Sequence, residues 1–248
     1  DDAHVRAILP RIKRRVTTYG LTAPADYRAE EIVLAGPVSK FSVSCRGERL
    51  GEAILNVPGR FNVANALATI AVARELDLPF DVIREGLAAV VGVHRRLESK
   101  GKAGGVTVVD DYGHHPTEIR ETLAAARQVW KDRVIVVFQP HRYTRTQKLY
   151  EEFLGAFSDA DHLIVTDIYA ASEKPIEGVS AAGLCDGIRA HGHRDAVYLS
   201  GFDRITDHLL AMAKPSDVIV TQGAGNVWKI GEEFLRRAGE SGRPRGRA

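Results

Sequence analysis

Val106-Thr107-Val108-Val109 is an apolar β-type run, and Asp110-Asp111-Tyr112-Gly113-His114-His115-Pro116-Thr117-Glu118 follows it at once. The next such run, Val134–Phe138, leads directly into Gln139-Pro140-His141-Arg142-Tyr143-Thr144-Arg145-Thr146. Apolar runs recur at Leu163–Thr166, Ala196–Leu199 and Val218–Thr221, with helical patterns at Pro116–Trp130, Thr146–Phe157, Ala181–His191, Phe202–Ala213 and Val227–Arg237. Strands alternating with helices through short connections predict an α/β, Rossmann-like, mostly parallel, doubly wound domain. In such sheets ligands bind at the carboxyl ends of the strands. That rule points to the polar clusters just quoted.

Upstream the texture changes. A helical stretch is expected at Ala3–Arg14, then short β-type runs at 16–19, 29–34, 40–45 and 51–57, with a hairpin turn at Arg46–Arg49. Helices are expected from Phe61 to Leu76 and from Phe80 to Val90. Between the halves, Ser99–Gly105 reads as an interdomain linker or as a hairpin loop.

The bulk numbers exclude several classes. The 248 residues suit one large domain or two small ones. A net charge of +2 gives no electrostatic case for nucleic acid, and no apolar run is long enough to span a membrane. Cys45 and Cys185 are far apart, without metal-type spacing, which suits a reducing, cytoplasmic setting. The opening Asp1-Asp2-Ala3-His4, without Met, reads as the interior of a longer chain.

In the first cluster, Pro116 suits a first helical turn, whose free N–H groups favour an anion. Asp and His side chains there suit a metal, a phosphate-bound Mg2+ or an ammonium group. Taken singly, each has a plainer reading: an Asp capping the turn, a buried hydrogen-bonded His. In the second cluster, Arg142 and Arg145 stand three apart beside His141. Guanidinium forks bind carboxylates and phosphates bidentately. The plainer reading is a basic loop paired with acids such as Glu151 and Glu152. A third cluster, Gly59–Ala66, puts Asn62 and Asn65 on one face of a helix start, to read a purine edge or to cap the helix. Arg95 and Arg96 suit a phosphate contact or a solvated charge pair. Gly223-Ala224-Gly225 is not a dinucleotide fingerprint, since Trp228 takes the third glycine's place; it reads as a turn lining the pocket. Gly101-Lys102-Ala103 is not a P-loop.

The strings GRFNVANALA (59–68), GVHRRLE (92–98), DDYGHHPTEI (110–119), FQPHRYTRT (138–146) and QGAGN (222–226), in this order, resemble the Mur ligase family. The resemblance covers nearly the whole chain. It implies that residues 1–98 form the end of a central ATP-binding domain lacking its P-loop part. Residues 99–240 would then form a C-terminal amino-acid-binding domain, and 241–248 a disordered basic tail. The implied activity is ATP-dependent ligation of L-alanine to UDP-N-acetylmuramate through an acyl phosphate, in peptidoglycan precursor synthesis. The implied partners include the N-terminal and P-loop segments of the same enzyme. ATP and Mg2+ are the implied cofactors, with the Mg2+ ligands upstream and none in this chain.

By motif position, the resemblance puts Asn62, Asn65 and Tyr112 at the adenine. It puts Arg96 and Asp111 in the nucleotide-phosphate region, and His114, His141, Arg142 and Arg145 at the acyl phosphate and the alanine carboxylate. This chain alone is expected to be inactive as a ligase. Two other functions stay open: a non-catalytic nucleotide- or carboxylate-binding module or remnant, and a metal-dependent hydrolase built on Asp110, Asp111, His114 and His115.

Overall fold

A computed structural model describes residues 1–22 and 24–241, which divide into two compact units meeting at Gly92/Val93. The basic tail Arg243–Arg247 lies outside the described residues.

The first unit opens with α1 (Ala3–Ile8) and one 3-10 turn, Leu9–Arg11. The helix expected to reach Arg14 stops early because Pro10 has no N–H to continue the ladder. Four strands follow: β1 (Tyr19–Gly20), β2 (Tyr27–Ala35), β3 (Val38–Cys45) and β4 (Glu48–Leu55), in that spatial order. β1 is shorter than the run 16–19 promises. Thr18 turns its N–H and hydroxyl to the Asp26 carboxylate, each at 2.8 Å, instead of to a neighbouring strand. The β3–β4 turn is the pair Arg46-Gly47, both at positive φ (50° and 87°), the mirror-image geometry that matches strand twist. Helices α2 (Arg60–Glu75) and α3 (Phe80–Ala88) pack on the sheet. They bury Val63, Leu67, Ile70, Ile83 and Leu87 against Tyr27, Phe41 and Val43.

The second unit begins with the hairpin β5 (Glu98–Ala103) and β6 (Val106–Asp111), so Ser99–Gly105 is a hairpin and not a linker. Then come α4 (Pro116–Val129), β7 (Val134–Phe138), α5 (Tyr143–Lys148), α6 (Tyr150–Leu154), β8 (His162–Val165), α7 (Ala181–Ala190), β9 (Ala196–Tyr198), α8 (Phe202–Met212), β10 (Val218–Gln222) and α9 (Trp228–Ser241). The sheet order is β5-β6-β10-β7-β8-β9, and every pairing except β5–β6 is parallel.

Alternation along each central strand feeds two cores. Val134, Val136, Phe138, Val218 and Val220 face α4 and α7. Ile135, Val137 and Ile219 face α8 and α9. This is the doubly wound arrangement that apolar runs of four or five residues predict. The last strand in sequence, β10, sits between the first and second parallel strands. Its carboxyl end therefore lies between those of β6 and β7, and the turns after all three converge. The single helix expected over 146–157 is two, broken at Leu149 (φ −109°, ψ 19°). Among the described residues, no helix is long and apolar enough to cross a membrane.

Candidate functional site

The floor of the site is the end of β6. Asp110 and Asp111 are 1% and 2% exposed, so their charges need partners. Asp110 Oδ2 accepts from Arg95 Nε at 2.8 Å, and its Oδ1 from the Thr221 hydroxyl at 2.7 Å. Asp111 accepts from the N–H groups of Leu97 and Gly113 and from the Thr122 hydroxyl, at 2.7–3.0 Å. Burial nonetheless raises its pKa against those three bonds. Both carboxylates are thus used inside the protein. Of the two sequence readings of Asp111, the turn-capping one describes its contacts.

Above this floor the β6–α4 turn divides the two histidines. His115 caps α4: its Nδ1 faces the Thr117 N–H at 3.4 Å, and Glu118 returns a bond to the His115 N–H at 3.1 Å. This capping box uses His where Ser or Thr is usual. His114 has its Nδ1 3.0 Å from the Tyr112 carbonyl oxygen. Burial depresses its pKa, against the Tyr112 carbonyl and Glu118, with Arg145 and Arg96 adding to the depression. Arg96 lies 3.7 Å from Glu118. The Arg95 and Arg96 guanidinium carbons lie 4.9 and 5.8 Å from the Tyr112 ring centre, within cation–π range.

The β7–α5 turn supplies the opposite wall. Arg142 stands at φ 74°, a left-handed conformation that is costly outside glycine and is found at ligand sites. Its N–H donates to the Tyr169 carbonyl, and its guanidinium lies 3.7 Å from Glu173. Among the described residues its acid neighbour is Glu173, and not Glu151 or Glu152, and Glu173 is anchored by the Thr144 N–H and hydroxyl. Arg145 Nη1 bonds both Nδ1 and the carbonyl oxygen of His141, at 3.0 and 3.1 Å. Tyr169 stacks on the His141 ring, 5.5 Å between centres and 10° between planes. Burial, then His114, Arg145 and Arg142, push the His141 pKa down to about 4.

The turn after β10 closes the group. A Cβ on Gly223 would come 2.7 Å from the Gln139 carbonyl oxygen, and one on Gly225 2.8 Å from the Tyr169 ring. These glycines let the backbone pass under both walls. Arg95 fastens the turn through the carbonyls of Gly223 (2.7 Å) and Gly225 (3.3 Å).

A cavity of about 510 Å³ opens between these turns, lined by Tyr112, His114, His141, Arg142, Thr144, Arg145, Lys148, Leu149 and Ala224. Five residues singled out from sequence meet there: Tyr112, His114, His141, Arg142 and Arg145. Arg96 stands beside Tyr112, and Asp111 lies beneath. Asn62 and Asn65 belong to the first unit, at the start of α2. There the Asn62 amide donates to the Pro58 carbonyl at 2.7 Å and accepts from Asn65 at 3.4 Å.

Sequence reasoning missed Lys148, Leu149 and Tyr169. Lys148 and Leu149 follow Thr144 and Arg145 by one helical turn, and Tyr169 follows β8 by the same carboxyl-end rule. The lining holds three permanent cations and no carboxylate, so it suits an oxyanion. Among the described residues, no group of three or more His, Cys, Asp or Glu is placed to hold a metal. With Asp110 and Asp111 engaged and His115 capping, the residues do not fit Mg2+ or the hydrolase arrangement.

A doubly wound sheet with a cationic pocket where three strand ends converge defines an α/β domain whose pocket chemistry suits anionic ligands. Residues 95–225 match the Mur ligase glutamate ligase domain, and residues 1–73 match the Mur ligase middle domain. The chain belongs to the Mur ligase family.

It is 60% identical over 240 residues to the UDP-N-acetylmuramate–L-alanine ligase of Syntrophus aciditrophicus, covering 97% of this chain and 50% of that protein. It is 52% identical to the protein of the same name from Geobacter sp. strain M21, covering 96% and 52%. The crystal structure of the Thermotoga maritima UDP-N-acetylmuramate–alanine ligase superposes with a TM-score of 0.76 at 28% identity, covering 91% of this chain and 48% of that one. The chain spans about half the length of the curated relatives it matches.

Proposed function

We propose that this chain carries the amino-acid side of a cytoplasmic, ATP-dependent ligase that joins L-alanine to UDP-N-acetylmuramate in peptidoglycan precursor synthesis. The observation that carries the reading is the cavity at the strand ends. Arg142, Arg145 and Lys148 surround it with no carboxylate among them. The names of the relatives supply the substrates.

ATP, when bound, supplies the phosphoryl group that activates the sugar carboxylate as an acyl phosphate. The residues here bind and orient. Arg142, Arg145 and Lys148 hold the alanine carboxylate and the phosphoryl oxygens, with His141 as a neutral donor. Crowding of negative charge is the main barrier in such chemistry, so fixed cations are effective. Arg96 and Tyr112 form a cationic and aromatic edge that fits a nucleotide. Asp111, its oxygens engaged, acts by holding the 111–113 backbone. In the first unit, Asn65 is exposed and Asn62 is engaged by Pro58 and Asn65, so Asn65 is the better adenine contact. No step is assigned to Mg2+.

The test joins this chain, as one polypeptide, to the portion of the Syntrophus aciditrophicus relative that it does not cover. With ATP and UDP-N-acetylmuramate, ADP release is expected to depend on L-alanine. Release unaffected by omitting alanine overturns the reading. Alanine binding without any turnover would assign a carboxylate-binding module instead.

A further inference from the structure

The two histidines of the cavity are held by neighbours of opposite hydrogen-bonding character. The group facing His141 Nδ1 at 3.0 Å is a guanidinium nitrogen of Arg145, which only donates. His141 Nδ1 is therefore the acceptor, and in the neutral ring the proton is on Nε2. The group facing His114 Nδ1 at 3.0 Å is the Tyr112 carbonyl oxygen, with a Glu118 carboxylate oxygen at 3.6 Å. Both only accept. His114 Nδ1 therefore carries the proton, and Nε2 is bare. The rings stand 5.5 Å apart between centres and line the same cavity. Stacking on Tyr169 fixes the plane of His141.

We propose that these opposite tautomers are the amino-acid reader of the pocket: His114 offers a bare Nε2 that takes a proton from the substrate ammonium, and His141 offers an Nε2–H to an oxyanion. The proposal rests on reading the cavity as an amino-acid site. A zwitterion presents both chemistries at one carbon, and a like pair of tautomers would match only one of them.

An amine attacks an acyl carbon only after the ammonium has lost a proton. That N–H bond breaks, its electron pair stays on the amine nitrogen, and a new N–H bond forms on His114 Nε2. The imidazolium then gives the proton to water at the open mouth of the cavity. Glu118 and the Tyr112 carbonyl favour the imidazolium, and Arg145 and Arg96 oppose it. His141, Arg142 and Lys148 line the same cavity. Both rings have pKa values below the ordinary histidine range, so both are neutral and available at pH 7.

The test is a multiple-bond 1H–15N spectrum of the 15N-labelled full chain at pH 7, with His114→Gln and His141→Gln assigning the signals. His114 is expected protonated at Nδ1 and His141 at Nε2. The reverse tautomer at either ring overturns the proposal, whether or not a ligand binds. Addition of L-alanine is then expected to shift His114 Nε2 toward its protonated position. L-lactate, a carboxylate with no ammonium, is expected to move His141 alone. Equal His114 shifts with both overturn the ammonium role. No shift at either ring with either ligand overturns that role and the amino-acid reading together, with the tautomers still read from the first spectrum.

Discussion

Arg95 Nε lies 2.8 Å from Asp110 Oδ2, and the same guanidinium holds the carbonyls of Gly223 and Gly225. One side chain thus ties the end of β6 to the turn after β10. The Asp110 side chain is 1% exposed and the Arg95 side chain 16%. Removing one partner of such a pair leaves a buried charge, which costs roughly 3–5 kcal/mol. Arg95→Met is expected to lower the stability of the second unit by that order in urea unfolding. Arg95→Lys is expected to restore little of it, because an ammonium does not reproduce the fork that reaches three acceptors.

The Arg145 charge beside His141 helps keep that ring neutral. Replacing it by Arg145→Gln removes a positive neighbour and makes protonation easier. The His141 pKa is expected to rise from about 4 and to stay below 6.5, because burial is the larger cause and is retained. An NMR pH titration reads this directly, and an unchanged pKa would contradict it.

A histidine whose folded pKa lies below its unfolded value weakens the fold in acid. The unfolded chain takes up a proton near pH 6.5, and folded His141 does so only near 4. Its contribution is fully present above about 6.5 and is lost as pH falls toward 4. His141→Gln is therefore expected to flatten the fall in stability over that window, as seen by denaturation at several pH values.

Arg142 reaches the cavity from a strained backbone position and is held by Glu173 at 3.7 Å. If it grips a carboxylate, Arg142→Ala removes a charged hydrogen bond of roughly 1.5–3 kcal/mol. That corresponds to a rise of about 10–100-fold in the KM for L-alanine in the joined polypeptide. A KM unchanged in Arg142→Ala would remove Arg142 from the alanine site.

Gly223 stands at φ 149°, with the Gln139 carbonyl 2.7 Å from where a Cβ would be. Backbone cannot swing aside as a side-chain tip can. Gly223→Ala is expected to cost about 1–3 kcal/mol in unfolding experiments. A variant as stable as the parent would show that the turn relaxes freely.

The parallel sheet was legible because Val134–Phe138 is apolar throughout and Val218–Gln222 is apolar until its last two residues, Thr221 and Gln222. Only a strand buried on both faces asks for that. The site was legible because polar clusters at strand ends have few other places to go. The hairpin at β5 was not, since Gly101 and Gly104 in a polar stretch serve a linker equally well. The break at Leu149 was also hidden, as its neighbours carry a continuous helical pattern.

The sequence by itself determined the doubly wound class, the family and the strand ends that carry the candidate site. Local periodicity suffices for the class and the strand ends, and the family rests on the resemblance carried by the motif strings at 59–68, 92–98, 110–119, 138–146 and 222–226. Only the tertiary structure decided that His115 caps a helix while His114 faces the cavity, that both aspartates are spent on Arg95, Thr221 and backbone N–H groups, and that Tyr169 stacks on His141. Those outcomes depend on which groups meet across a sheet in which the last strand lies between the first two parallel ones. Residues 28 to 130 positions apart become neighbours there, and no local pattern encodes their distances.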